Sequence, residues 1–246
     1  MGQPAIKQHE AVPRHRYVGP QHVERTSLQE LIRSTGRSVG DDRQFDMLRE
    51  GDSRDAYVYY AGNLEFLNRC AVSIVGTRDV SDDGARRAAR LARELAREGV
   101  LVVSGLAMGV DTAALTAAIH SGGRTAAVIG TPIEKAYPAE NAELQEQIYR
   151  EHLLISPFRQ GEPVYRSNFP KRNRVMALLS DATVIVEASD TSGTLHQAAE
   201  CQKRGRWLCI LKSVAEDPKL SWPARFIGKP FVKVVSETEQ ILALLK

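Results

Sequence analysis

Cysteine is scarce in this 246-residue chain: Cys70, Cys201 and Cys209 are the only three, with no paired spacing. That argues against a disulfide framework and predicts buried, reduced thiols and a cytoplasmic location. Long apolar runs are missing as well. No segment reaches membrane-spanning length and the N-terminus carries no apolar signal segment, so no membrane association is expected. The six histidines fall at no metal-ligand spacing, so neither a metal site nor a cofactor is expected. An excess of one charge is lacking too: 33 Lys+Arg face 30 Asp+Glu, a formal +3. A bulk polycation is excluded, and nucleic-acid binding must come from a local patch. There is no GxGxxG fingerprint, because Gly84 lies too far from Gly76, and no GxxxxGK[ST] loop, which argues against an ordinary nucleoside-triphosphatase. No Ser-His-Asp or Cys-His arrangement is recognisable, and His196 reads as a helix-surface residue.

What the chain does have is apolar residues, 43% of the total, enough for a sizeable core. Residues 1 to about 26 are polar, with Pro4, Pro13 and Pro20, and read as a flexible arm. Ser27-Leu28-Gln29-Glu30 has capping-box spacing, which predicts a short helix there, with another over Asp41–Glu50. Residues 1–55 therefore form an arm and small helical extension, and 56–246 the main domain. Beyond residue 56, apolar runs at 72–75, 100–103, 125–129, 153–155, 183–186 and 207–211 are near-continuous, as strands covered on both faces are. Phe231–Val235 reads as a last, edge strand. Helical patterns alternate with these runs. In Ser81–Glu98, Ala88, Leu91, Ala92, Leu95 and Ala96 form one apolar stripe, with Arg86, Arg90, Arg93 and Arg97 near another face. Strand–helix alternation implies an α/β fold: an open, doubly wound, mostly parallel sheet with helices on both faces and ligands beyond the strands' carboxyl ends.

Gly76, Gly105, Gly130 and Glu187 stand at such ends. Val75-Gly76-Thr77-Arg78 and Ser104-Gly105-Leu106-Ala107-Met108-Gly109-Val110-Asp111 each stop an apolar run at glycine before a helix. Free N–H groups and the helix dipole make such a place an anion site. The plainer reading is a pair of tight turns, with Arg78 a solvated loop charge. Asp111 caps the following helix or orients the loop, and Leu115 and Ala118 read as core. Phe169-Pro170-Lys171-Arg172-Asn173-Arg174 is the densest cationic stretch near an aromatic, a combination suited to single-stranded nucleic acid. Cations in a first helical turn are unfavourable without an anion nearby. Thr191-Ser192-Gly193-Thr194 offers hydroxyls and N–H groups to a third anion, or an ordinary N-cap.

In their order along the chain, these elements resemble the DprA/Smf DNA-processing family. The resemblance rests on Tyr59–Leu64, Val72–Arg78, Ser104–Asp111, Gly122–Thr125, Tyr137-Pro138 with Asn141, Phe169-Pro170, Arg172-Asn173-Arg174, Ser192-Gly193-Thr194 and Gly205-Arg206. It covers about residues 57–212. It implies an extended Rossmann-like fold, non-catalytic binding of single-stranded DNA, self-association as dimers, and transfer of the strand to the RecA recombinase. The residues implied to contact DNA are Gly76, Arg78, Ser104, Gly105, Gly109, Phe169, Lys171, Arg172, Asn173 and Arg174, with Ser192 and Gly193 nearby. Phe169 would stack on a base, and Lys171, Arg172 and Arg174 would extend a basic groove. The chain departs from the family pattern at Leu115, at Ser156-Pro157 and at Lys212-Ser213. It ends soon after the fold, so no winged-helix tail is expected. Two other readings use the same loops: a nucleotide-binding sensor, and a nucleotide phosphoribohydrolase-like enzyme. The latter's PGGxGT loop and following glutamate are poorly matched by Asp190–Thr194 and Glu200.

Overall fold

The computed structural model describes residues 15–37 and 56–245. The helix expected over Asp41–Glu50 lies outside the described residues. The elements run β1 (Glu24–Ser27), α1 (Leu28–Ser34), β2 (Tyr57–Gly62), β3 (Ala71–Gly76), α2 (Asp82–Arg97), β4 (Leu101–Ser104), α3 (Val110–His120), β5 (Thr125–Val128), α4 (Ala142–Glu151) and β6 (Leu153–Ser156). They continue with α5 (Asn168–Leu179), β7 (Ala182–Glu187), α6 (Thr194–Lys203), β8 (Trp207–Leu211), the one-turn α7 (Lys212–Ala215), β9 (Val232–Val235) and α8 (Thr238–Leu242).

The described strands form one sheet in the order β1-β2-β6-β5-β4-β3-β7-β8-β9. From β6 to β9 every pairing is parallel. Only β2 and β1 run antiparallel to their neighbours, at the β6 edge. Each expected apolar run became a strand, and the runs are continuous because both faces are covered. Leu101 and Val103 face one core with Leu31, Val175 and Leu179 of α1 and α5. Val102 between them faces the other with Leu95 and Ala118 of α2 and α3.

Local signals explain the helix bounds. Ser81 caps α2 by accepting the Gly84 N–H at 3.0 Å, Asp82 and Asp83 occupy the first turn, and Gly99 ends the helix region at φ +73°. The chain leaves β3, crosses to β4 and β5 on one side, and returns to β7 on the other. The sheet therefore reverses its winding between β3 and β7, and a crevice opens beyond their carboxyl ends at that point.

Two expectations are corrected. The arm expected up to about residue 26 is, from residue 15 on, packed against the domain. The Tyr17 hydroxyl donates to the Ile133 carbonyl at 2.7 Å, the Val18 N–H donates to Glu146 at 2.8 Å, and Glu24–Ser27 pair with β2. Main-chain pairing, one carboxylate and Tyr17, whose ring meets that of Tyr149 edge-on at 6.5 Å, hold this polar segment. Of the cysteines, Cys201 and Cys209 are buried and burial pushes both thiols up to about 12, but Cys70 is exposed. Cys70 immediately precedes β3, just outside the sheet that covers the run after it.

Candidate nucleic-acid interface

Four strand ends converge on the crevice, and backbone proximity dictates several of their residues. At the end of β3 a Cβ on Gly76 would lie 2.5 Å from the Val110 side chain and 2.7 Å from the Glu187 carbonyl. Thr77 therefore reaches across to β7, its N–H donating to the Glu187 carbonyl at 2.7 Å. Gly109, at φ +78°, lies flat under the same turn, where a Cβ would meet the Thr77 and Arg78 carbonyls at 2.5 Å. The turn carrying Arg78 thus rests on the start of α3. The far carboxylate of the crevice is engaged: Glu187 accepts from the Ser81 N–H and hydroxyl at 3.0 and 2.6 Å and faces Arg87 at 3.6 Å.

The loop after β4 is held from below. Asp111, almost fully buried, accepts the N–H groups of Gly105 and Ala107 at 3.1 and 3.3 Å. Arg172 of α5, 5% exposed, donates to the Gly105 carbonyl, and to the Val128 carbonyl at 2.8 Å. The Asn141 amide donates to the Leu106 carbonyl and the Thr112 hydroxyl, both at 2.9 Å. Between these restraints Leu106 sits at φ +58° with its side chain fully buried. Burial pulls the Arg172 guanidinium down to about 10, partly offset by Asp111, so it stays charged at neutral pH. Burial pushes the Asp111 carboxyl up, opposed first by Arg172 and then by the loop amides.

Above this base the aromatic and cationic groups assemble. Arg78, exposed, places its guanidinium 5.3 Å from the Phe169 ring centroid. Tyr137, 47% exposed, sets its ring 5.5 Å from that of Phe169 at a 49° tilt. Gly130, at the end of β5, has no room for a Cβ because the Phe169 ring would lie 2.7 Å away. Arg78, Gly105, Ala107, Met108, Tyr137 and Phe169 enclose a pocket of about 120 Å³. On the other side of Arg78 and Phe169 runs a groove of about 380 Å³ along Gly76, Thr77, Asn173, Ser192 and Gly193. At Gly193 a Cβ would meet nothing within 4 Å, so the α6 N-terminus opens onto this groove.

The structure brings Gly76, Arg78, Gly105, Phe169, Asn173, Ser192 and Gly193 to these two cavities. Lys171 lies on the same helix turn, half-buried. Other expected contacts are placed differently. Arg172 lines both cavities, but as the nearly buried floor under the loop rather than an exposed arm, because Gly105 and Val128 offer it two otherwise buried carbonyls. Ser104 is fully buried and donates to the Ile74 carbonyl at 2.7 Å, tying β4 to β3. Arg174 points to α6, where Glu200 lies 3.1 Å away. Ser192 accepts the Thr194 N–H at 3.2 Å, and Thr194, with its hydroxyl 3.1 Å from the Gly76 carbonyl, ties α6 to β3. Sequence reading gave Tyr137, Met108 and Asn141 no role here, although all three were part of the pattern that carried the resemblance. Among the described residues no cluster of His, Cys, Asp and Glu could hold a metal ion, and no helix is long and apolar enough to cross a membrane.

A family model described as DNA recombination-mediator protein A matches residues 38–246. DNA processing protein DprA of Streptococcus pneumoniae is 40% identical over 186 residues, 76% of this chain and 65% of that protein. Protein Smf of Synechocystis is 39% identical over 156 residues, 62% of this chain and 39% of that protein. The chain thus spans less than two thirds of the length of these relatives. The X-ray structure of the S. pneumoniae protein superposes with a TM-score of 0.70 at 34% identity, covering 78% of this chain and 67% of that one. DNA processing protein A of Helicobacter pylori, whose structure is described as giving insight into its single-stranded DNA binding mode, superposes with a TM-score of 0.69. It is 25% identical, and the match covers 85% of this chain and 94% of that one. With the family match running through β2 to β9, the chain belongs to the DNA recombination-mediator protein A family.

Proposed function

We propose that the crevice binds single-stranded DNA without chemical turnover. One base enters the pocket beside Phe169 and Tyr137, and the phosphates follow Arg78, Lys171 and the open start of α6. The observation that carries this reading is the paired cavity: a small aromatic-walled hole joined, across Arg78 and Phe169, to an open groove. Sites for small ligands run to about 300–1,000 Å³ and bury most of the ligand. A hole of about 120 Å³ suits one flat ring, leaving sugar and phosphate outside. Base stacking is sequence-tolerant, since every base has a π-face, and a cationic groove tracks the backbone. Membership of the family and the single-stranded DNA described for the H. pylori relative support the reading. In it the protein works in the cytoplasm as a homodimer and passes its strand to a RecA-type recombinase.

The enzyme and sensor readings draw less support. Glu200, the nearest counterpart of a phosphoribohydrolase's acid, lies 3.1 Å from both Arg174 and Arg204, and Glu187 is engaged by Ser81. The test is fluorescence anisotropy with labelled oligo(dT) at several salt concentrations, with duplex DNA as competitor. Salt-sensitive binding that duplex fails to compete is expected. Phe169→Ala should cost about 1–3 kcal/mol, the value of one stacked base. Arg78→Ala should reduce the salt slope by about 0.7, one phosphate contact. Unchanged binding in both variants would overturn the assignment.

A further inference from the structure

A second, larger groove begins where the base pocket ends. Met108, 42% exposed at the tip of the loop before α3, lines the pocket on one side and this groove of about 610 Å³ on the other. The groove lies between α2 and α3. Its walls include Ala89, Arg93, Thr112, Ala113 and Thr116, with His120 in the last turn of α3. From Gly109 to His120 the helix extends about 16 Å at 1.5 Å per residue. That length accommodates about five nucleotides at stacked-strand spacing.

The charges of α2 are arranged unevenly around it. Arg86 is held by Asp83 at 2.5 Å, and Arg90 by Glu94 and Glu237 at 2.7 and 3.1 Å. Arg93, exposed on the groove wall, makes no ion pair among the described residues. Glu140, at the rim, is the one carboxylate among the residues lining the groove.

We infer that the α2–α3 groove carries the continuation of the same DNA strand, with Met108 under the nucleotide that leaves the pocket and Arg93 on a phosphate further along. The inference rests on the proposed DNA-binding reading of the crevice. Continuity through Met108 and a cation that makes no ion pair among the described residues, beside alanine- and threonine-lined walls, favour a strand over a protein partner. A docking helix would present apolar side chains and gain nothing from Arg93.

The test compares oligo(dT) of about 4 and about 16 nucleotides, spanning known single-strand site sizes, with wild type, Arg93→Gln and Glu140→Gln. Both substitutions are at exposed positions and leave the core intact. For the long oligonucleotide Arg93→Gln should weaken binding about three- to tenfold and lower the salt slope by about 0.7. Glu140→Gln should strengthen it, and the short oligonucleotide should bind all three proteins alike. Equal affinity of the long oligonucleotide for wild type and both variants would overturn the inference while leaving the pocket assignment intact. A change of oligomeric state in Arg93→Gln by sedimentation equilibrium would also overturn it, by assigning the groove to a protein interface. If wild type binds neither oligonucleotide, the crevice reading itself has failed.

Discussion

Two arginines of this site differ in what their removal would do. Arg78 is exposed and stacked on Phe169, whereas Arg172 is buried, holds two carbonyls and faces Asp111. Removing one member of a buried charge pair strands the other and costs about 3–5 kcal/mol. Arg172→Met should therefore lower unfolding free energy by that amount in urea titrations and abolish DNA binding by releasing the loop. Lys171→Ala, half-buried on the same turn, should change stability by no more than about 0.5 kcal/mol and affect only binding. The distinction was legible only in part. Arg172 falls on the stripe of Asn168, Val175, Met176 and Leu179 on the buried face of α5, while Lys171, four residues before buried Val175, borders that face and is half-buried. Reading Lys171, Arg172 and Arg174 as one cationic cluster overlooked that a helix turns about 100° at each residue. Leu106 had no such signal. Its left-handed backbone is imposed by Asn141 and Asp111 from other elements, so local propensity argues against it.

At the scale of elements, the strands of the parallel sheet were readable because burial on both faces leaves continuous apolar runs. β1 was not, because Glu24-Arg25-Thr26-Ser27 is a polar edge strand. Arg25 lies over the Tyr57 ring at 4.2 Å, and the Tyr60 hydroxyl donates to Glu24 at 2.7 Å. The segment before it depends on α4. Glu146 accepts the Val18 N–H and lies 2.7 Å from His15 and 2.9 Å from Arg150. The Val18 hydrogen bond, then His15 and Arg150, hold the Glu146 carboxyl below its ordinary value. A carboxylate depressed in the folded state stabilises fully above its unfolded pKa of about 4.3, and the contribution fades as pH falls through the folded value. Protection of the Val18 amide, measured against its intrinsic exchange rate at each pH, should therefore be high and nearly constant above about pH 5 and fall below about pH 4. An unprotected Val18 amide at pH 7 would show that Glu146 does not hold the segment.

For the whole molecule, the strand order places every proposed contact at one end of the sheet and leaves the antiparallel edge to structure alone. Gly62 shows how tightly that edge is fitted. It lies at φ +105° with the His152 carbonyl where a Cβ would be. Gly62→Ala should loosen β2 from β6, lowering the thermal midpoint by several degrees while leaving affinity for oligo(dT) within twofold, about 0.4 kcal/mol. A large loss of affinity would mean that this edge is coupled to the crevice. With 33 cations against 30 anions, any binding of a polyanion at the crevice must rely on a few well-placed groups.

The same topology constrains how the protein is made. Tyr60 pairs with Ile155, and Val72 with Ala182, so neither β2 nor β3 meets that neighbour until most of the chain has left the ribosome. β1 can pair only with β2, and α1 packs in the core that β6 and α5 complete. During translation β2 and β3 therefore each wait with one edge unpaired, the state in which nascent chains recruit chaperones.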